Sequence, residues 1–390
     1  MTTADEIQGS KKQSKFWQQA EHPYAVYKII FGATVALLLS GLVMVASASS
    51  IFALNNFNGN QWALFERQAL FAVLGFGSLI ICSKLPNETF KRLSGPFLLV
   101  VFVLLVAVLV IGTSVNGQKN WIEFGSVIRF QPSEFAKLGI ILYGAKVIAN
   151  YEPELHLRSR LINPYIVVCF FVILLVALEK DVGTALVMLP IMASILYFVG
   201  APMRWFVVLA GLGLAFVAVA TAIAPYRMAR FTSWWNPYAD PQGTGYQLIH
   251  GQRALGSGGW LGVGLGGSKE KWGTLPEAHT DFIYAVIGEE AGILGTTIIL
   301  ALFAAIIIAG LRIARLSNDL FTRLVTLGIV TWLATQAFVN IGAVLGLMPI
   351  TGVPLPLVSY GGSSLIPTLV ALGILLSFAR QQARESEVGQ

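Results

Sequence analysis

Between Ser268 and Glu290 the chain reads SKEKWGTLPEAHTDFIYAVIGEE, a stretch in which ionisable residues meet a long apolar run. Up to Thr280 it is polar, with Lys269, Lys271, Glu277 and His279. Beyond Asp281 it is apolar at helical spacing to about Leu311. An ionisable group at such a boundary is expensive, and a functional role is the first hypothesis for it. Thr280 reads as a helix N-cap, which places Asp281 in the first helical turn. There the helix dipole lowers the pKa of a carboxylate and partial burial raises it. A carboxylate drawn both ways can be ionised at neutral pH and still accept a proton. The residues alone leave a second reading open, in which Asp281 only caps the helix.

Other charged and polar clusters are candidates to work with it. In RFQPSEFAKL (129–138), Pro132 follows Gln131 and suits the first helical position. Glu134 and Lys137, three apart, share a face and can pair; a purely structural pair is an equal reading. Residues 225–280 carry Arg227, Arg230, Arg253, Lys269 and Lys271 against Asp240, Glu270 and Glu277. Cations beside a membrane can hold a pyrophosphate, Arg with bidentate geometry, or attract anionic lipid head groups. Glu179-Lys180-Asp181 forms a charged turn between two apolar runs. Glu289 and Glu290 point to different helix faces, so at most one is expected beside Asp281. TGVPLPLVSYGGSS (351–364), which includes Ser363, combines proline-fixed backbone with hydroxyls and can shape a cleft or simply be a tight connection. Gly262-x-Gly264-x-x-Gly267 has the form of a dinucleotide fingerprint, but no strand precedes it and no helix opens from it. Nucleotide binding is rejected. The two cysteines and four histidines are scattered, so no metal site built from them is expected.

These residues need elements to hold them. Of the 390 residues 55% are hydrophobic and 12% charged, about half the charge of a soluble protein. The class is all-α: a polytopic integral membrane protein of about ten transmembrane helices. Segments of spanning length lie at about 29–51, 63–83, 96–114, 131–149, 162–178, 182–200, 205–224, 282–311, 324–347 and 363–379. Residues 1–28 read as a cytoplasmic tail, 29–380 as the membrane domain and 381–390 as a second cytoplasmic tail. Lys and Arg gather in alternate short connections and at both termini, which puts both termini inside. The long connection 225–280, between the seventh and eighth spans, then faces outward and shows no obvious regular structure. Its Trp234, Trp235 and Tyr238 suit a membrane interface. It is expected to lie across the outer mouth of the bundle. The net charge of +6 belongs to this membrane topology, and no nucleic-acid partner is expected.

PEAHTDF followed by IYAVIGEE resembles the signature of the SEDS family (shape, elongation, division and sporulation), which includes FtsW and RodA. QPSE-x-x-K at 131–137, the Arg230-to-Gln247 segment and 351–364 match the family in the same order, and the similarity spans residues 29–380. The family usually has Glu-Pro-Asp at 179–181, where this chain has Lys180. Pro276–His279 and Met44–Ser50 look more like the division branch than the elongation branch. The resemblance implies a peptidoglycan glycosyltransferase that polymerises lipid II, with Asp281 as the required aspartate. It also implies Lys137 directed toward Asp281 and oriented by Glu134, and a substrate role for Arg230. Gln131, Lys271 and Ser363 join that substrate-binding set. No organic cofactor is expected; Arg230, Lys271 or a divalent cation, Mg or Mn, would offset charge on the leaving pyrophosphate. Expected partners are lipid II and the growing glycan strand, a class B penicillin-binding transpeptidase, other membrane proteins of the division machinery, and membrane lipids. The expected location is the bacterial plasma membrane at the septum. A lipid II flippase and a non-catalytic scaffold are the alternatives from other classes.

Overall fold

The computed structural model describes residues 24–115, 118–124, 128–150, 158–223 and 225–388. Most of the expected N-terminal tail lies outside the described residues. Ten long helices fall at the ten apolar runs: α1 (Ala25–Asn56), α2 (Ala63–Lys84), α3 (Asn87–Ile111), α4 (Pro132–Asn150), α5 (Arg158–Leu178), α6 (Val182–Phe198), α7 (Met203–Ile223), α10 (Ile283–Leu316), α11 (Leu320–Val344) and α12 (Gly362–Val388). Seven of these are long and apolar enough to cross a membrane: α1, α2, α3, α7, α10, α11 and α12. The other three depart for local reasons. Glu134 and Lys137 lower the hydropathy of α4, while α6, at 17 residues, and the apolar part of α5, Pro164–Leu178, are short.

Helix α4 stands at the centre, packed against α3, α5, α6, α11 and α12, and α12 lies along α2. By contrast, α7 buries none of its residues and packs on α6 and α8 at the periphery. A continuous apolar core runs through the other spans.

The two ends of the bundle differ in chemistry. At one end Arg380 donates to the Lys84 carbonyl (2.8 Å), Lys91 pairs with Asp319 (3.4 Å) and Asn87 donates to Thr322 (2.9 Å). These contacts gather the α2–α3 turn, the α10–α11 turn and the end of α12, which carry much of the basic charge assigned to the cytoplasmic side.

At the opposite end lie the polar connections. A three-stranded antiparallel sheet, β1 (Thr113–Val115), β2 (Gln118–Phe124) and β3 (Ile128–Phe130), joins α3 to α4. The segment 225–280 is not irregular as expected. It contains α8 (Pro225–Trp235), a 3₁₀ turn (Pro237–Ala239) and α9 (Tyr246–Ser257), which buries Leu248, Ile249, Gly251 and Ala254.

The eighth span is also not continuous. Helix α10 breaks at Gly292, where φ is 66° and ψ −164°, a backbone state open essentially to glycine. Breaking a helix inside a protein frees carbonyls on one side and N–H groups on the other, and both need partners. The glycine-rich loop supplies them. Val263 and Gly264 donate to the carbonyls of Glu289 (2.9 Å) and Glu290 (3.1 Å). Ile293 and Leu294 donate to those of Gly259 (2.9 Å) and Trp260 (3.2 Å). A Cβ on Gly292 would stand 2.5 Å from Gly262 N and from Trp260 O, so neither chain has room for a side chain there. The run 256–267 is therefore a splice for a broken helix. The part of α10 before the break, Ile283–Glu290, is entirely buried.

Candidate functional site around Asp281

Residues 276–282 turn tightly ahead of α10. Thr280 N and Phe282 N both donate to the Glu277 carbonyl (3.2 and 3.1 Å), with Glu277 held at φ 53°. Phe282, 1% exposed, is buried against Gly251 of α9. Three successive carbonyls are then fixed by the segment 340–360: Tyr360 N donates to His279 O (2.9 Å), Ser359 Oγ to Thr280 O (2.6 Å) and Asn340 Nδ2 to Asp281 O (2.9 Å). The N-cap of α10 is Phe282, not Thr280, whose hydroxyl bonds the Glu277 carboxylate (2.6 Å). Asp281 thus sits just before the helix, because the turn around Glu277 takes up the residues that a simple cap would have used.

Asp281 is half-buried, and among the described residues no side chain donates to its carboxyl. Loss of water pushes its pKa up, Glu277 adds to the rise and Arg230 opposes it, leaving it at about 7. Burial therefore outweighs any help from the helix terminus. Arg230 comes from α8, which Trp234 fastens to the 345–352 loop by donating to Gly346 O (2.9 Å). Gly352 lies between the two charges. A Cβ there would stand 3.7 Å from Asp281 Oδ2 and 3.8 Å from Arg230 Nη1. His279, between Phe52 and Tyr360, is buried, which lowers its pKa and keeps it neutral at pH 7.

The other expected cations are placed differently. Lys137 bonds Glu134 (2.8 Å) and Gln336 (2.9 Å) and lies over the Trp332 ring at 4.8 Å. Its side chain and that of Glu134 are 1% and 3% exposed. The cation that acts on Asp281 is Arg230, while Lys137 is bonded to Glu134 and Gln336. Lys271 is enclosed as well, bonded to Glu290 (3.0 Å) and Ser47 (2.8 Å). Glu289 and Glu290 have different main partners, Glu290 bonding Ser47 of α1 and Lys271. Both reach the loop that folds over them, Glu289 accepting from Ser268 Oγ (2.5 Å) and Lys269 N (2.9 Å). The helix break nearby and the loop spliced into it let both carboxylates meet one segment.

A family model described as a cell cycle protein, covering FtsW, RodA and SpoVE, matches residues 28–384. The chain belongs to this family. It is 38% identical over 351 residues to a probable peptidoglycan glycosyltransferase FtsW of Geobacter metallireducens, covering 90% of this chain and 93% of that one. It is 39% identical over 349 residues to stage V sporulation protein E of Bacillus subtilis, covering 89% and 95%. Its fold matches a chain of a peptidoglycan synthase complex that coordinates polymerization and crosslinking, with a TM-score of 0.72 and 30% identity over 90% of this chain and 97% of that one.

In this FtsW, RodA and SpoVE family member, Gln131 and Ser363 belong to a second polar cluster. Gln131 Nε2 donates to Asp181 Oδ2 (2.7 Å) and its backbone N to Ser363 Oγ (3.2 Å), which in turn donates to Arg129 O (2.9 Å). Asp181 also accepts from Asn120, Ser133 and the N–H of Thr184, which it caps. With its oxygens so occupied, Asp181 serves as an anchor joining the sheet, α4 and α6. Glu179 beside it is buried with neither carboxyl oxygen hydrogen-bonded. Desolvation and then the Asp181 charge push its pKa to about 9, so it is neutral at pH 7. Lys180 adopts φ 65°, which proline cannot reach. The turn is thus built differently from the family's Glu-Pro-Asp, and Arg227 braces it by donating to Lys180 O (2.8 Å).

Gln336 and Asn340 are residues that sequence reasoning did not single out, whereas Ser359 belongs to the 351–364 stretch it named. Two amides four apart inside an apolar span were a usable signal. Among the described residues no three His, Cys, Asp or Glu side chains converge as a metal site. At Asp281 the neighbouring carboxylate is Glu277. That donor set suits a cation carried mainly by phosphate oxygens, as Mg²⁺ usually is.

Proposed function

We propose that this protein is an inverting peptidoglycan glycosyltransferase that joins lipid II into glycan strands during septal wall synthesis. One observation carries the reading: the carboxylate of half-buried Asp281, to which no described side chain donates, faces an arginine across Gly352. The names of its relatives, glycosyltransferase among them, support the same activity.

In this reaction the acceptor's N-acetylglucosamine 4-hydroxyl gives its proton to Asp281 as its oxygen bonds to the anomeric carbon of the donor N-acetylmuramic acid. The bond from that carbon to the pyrophosphate breaks on the opposite face, the electron pair leaves with undecaprenyl pyrophosphate, and α becomes β. A base with a pKa near 7 suits proton transfer at neutral pH. The Arg230 guanidinium, placed 3.8 Å from the Gly352 position, is suited to the charge that grows on the leaving pyrophosphate. A divalent cation on the same oxygens would share that task. Gln131 and Ser363, bonded to each other at the start of α4 and α12, are proposed to contact the substrate rather than to take part in the transfer.

The protein is a multi-pass membrane protein; the septum is the proposed site of action. A class B penicillin-binding transpeptidase is the proposed partner, as suits the likeness to a synthase complex that couples polymerization with crosslinking.

The test uses purified lipid II in vesicles with the purified protein and its transpeptidase. Polymer formation supports the enzyme. Translocation of lipid II without polymer would favour the flippase, and neither activity, with a working control polymerase, the scaffold.

A further inference from the structure

Trp332, Gln336 and Asn340 follow one another at intervals of four on α11, so they share a face, and all three are buried. Gln336 Oε1 accepts from Trp332 Nε1 (2.6 Å) and from Lys137 Nζ (2.9 Å), while its Nε2 donates to Pro354 O (3.0 Å). One turn later Asn340 Nδ2 donates to Val353 O (2.9 Å) and to Asp281 O (2.9 Å). The ion pair of α4, the backbone at 353–354 and the main chain of Asp281 are thereby linked by two amides on one helix face.

Two features set this apart from ordinary packing. First, among the described residues no side chain donates to the Asp281 carboxylate, so the carboxylate is placed through its backbone. Second, Asn340 Oδ1 is buried without a hydrogen-bond partner. A buried unpaired acceptor costs stability that an apolar residue of similar shape would not. Leucine there would remove that unpaired acceptor but would leave the Asp281 and Val353 carbonyls without the donor Asn340 supplies.

We propose that Asn340 and Gln336 are positioning residues for the transfer reaction: they fix the Asp281 main chain against Gly352 and Arg230, and the buried Lys137–Glu134 pair acts through Gln336 without touching substrate. The inference rests on Asp281 being the base. An error of about 1 Å in the placement of a reacting group can cost about 100-fold in rate, which is why a backbone hydrogen bond behind the carboxylate matters.

Full-length protein with its transpeptidase is assayed for polymerisation over a range of lipid II concentrations, as wild type, Asn340→Leu, Gln336→Glu and Asp281→Asn. Gln336→Glu keeps the acceptor for Lys137 and Trp332 but loses the N–H to Pro354. Both amide variants should lose about 10- to 100-fold in kcat with KM changed less than about threefold. The thermal midpoint of Asn340→Leu should fall, since two carbonyls lose their donor, so its kcat is compared at a temperature where both proteins are folded. Full kcat in folded Asn340→Leu and Gln336→Glu, with Asp281→Asn inactive, overturns the proposal and leaves the base assignment intact. A raised KM at full kcat also overturns it, since that marks substrate binding. An active Asp281→Asn removes both. Should Asn340→Leu not fold, the single-atom change in Gln336→Glu decides alone.

Discussion

Asp281 and Arg230 address the same point from two elements, the carboxylate 3.7 Å and the guanidinium 3.8 Å from where a Gly352 side chain would begin. A residue larger than glycine at 352 would fill the space between them, and Gly352 also holds φ 76°. Gly352→Ala should therefore lower kcat/KM by at least about tenfold, through occupied space and a misplaced loop. Its effect on kcat/KM should exceed that of Gly32→Ala, where no atom lies within 4 Å.

The charges around Asp281 set its pH response. Its pKa of about 7 gives a kcat/KM profile that rises with pH through about 7 and levels above it, because the base must be ionised. Arg230 holds the pKa down and Glu277 holds it up. Arg230→Gln should shift the limb to higher pH and Glu277→Gln to lower pH. Opposite shifts from two neighbours are the check.

Glu179 makes a stability prediction with a definite sign. Its pKa is about 9 folded against 4.5 as an ordinary Glu, so between those values the folded state binds more protons than the unfolded one. This contribution to stability therefore declines as pH rises across that window. Glu179→Gln keeps the shape without the titration. Its melting temperature should exceed that of wild type by a margin that grows from pH 5 to pH 9.

Much of this architecture was legible because apolar runs of about 20 residues announce themselves. The Asp281 boundary was legible for the same reason, as a carboxylate at the edge of such a run. The break at Gly292 was not, since an isolated glycine in a helical run is tolerated and marks no break by itself. Strands of three and seven residues between two spans gave too short a pattern to register. The pairing of Glu134 with Lys137 followed from their spacing. What else Lys137 touches depended on Trp332 and Gln336, 195 and 199 residues away in sequence, which spacing cannot report.

Lys271 and Glu290 test whether the outer segment is held by buried charge. With side chains 5% and 0% exposed, removing one partner leaves the other charged in the interior, at a cost of about 3–5 kcal/mol. Lys271→Met should lower the melting temperature sharply. Lys271→Met with Glu290→Gln should recover most of the loss, since Ser47 Oγ, 2.6 Å from Glu290, can still donate to the amide.

The most direct measurement is strand synthesis from purified lipid II by the protein and its transpeptidase, comparing wild type with Asp281→Asn at pH 8, where the carboxylate is ionised. Long glycan strands from wild type and none from an equally folded Asp281→Asn is the result this account predicts. Strands of equal length and rate from both would contradict it.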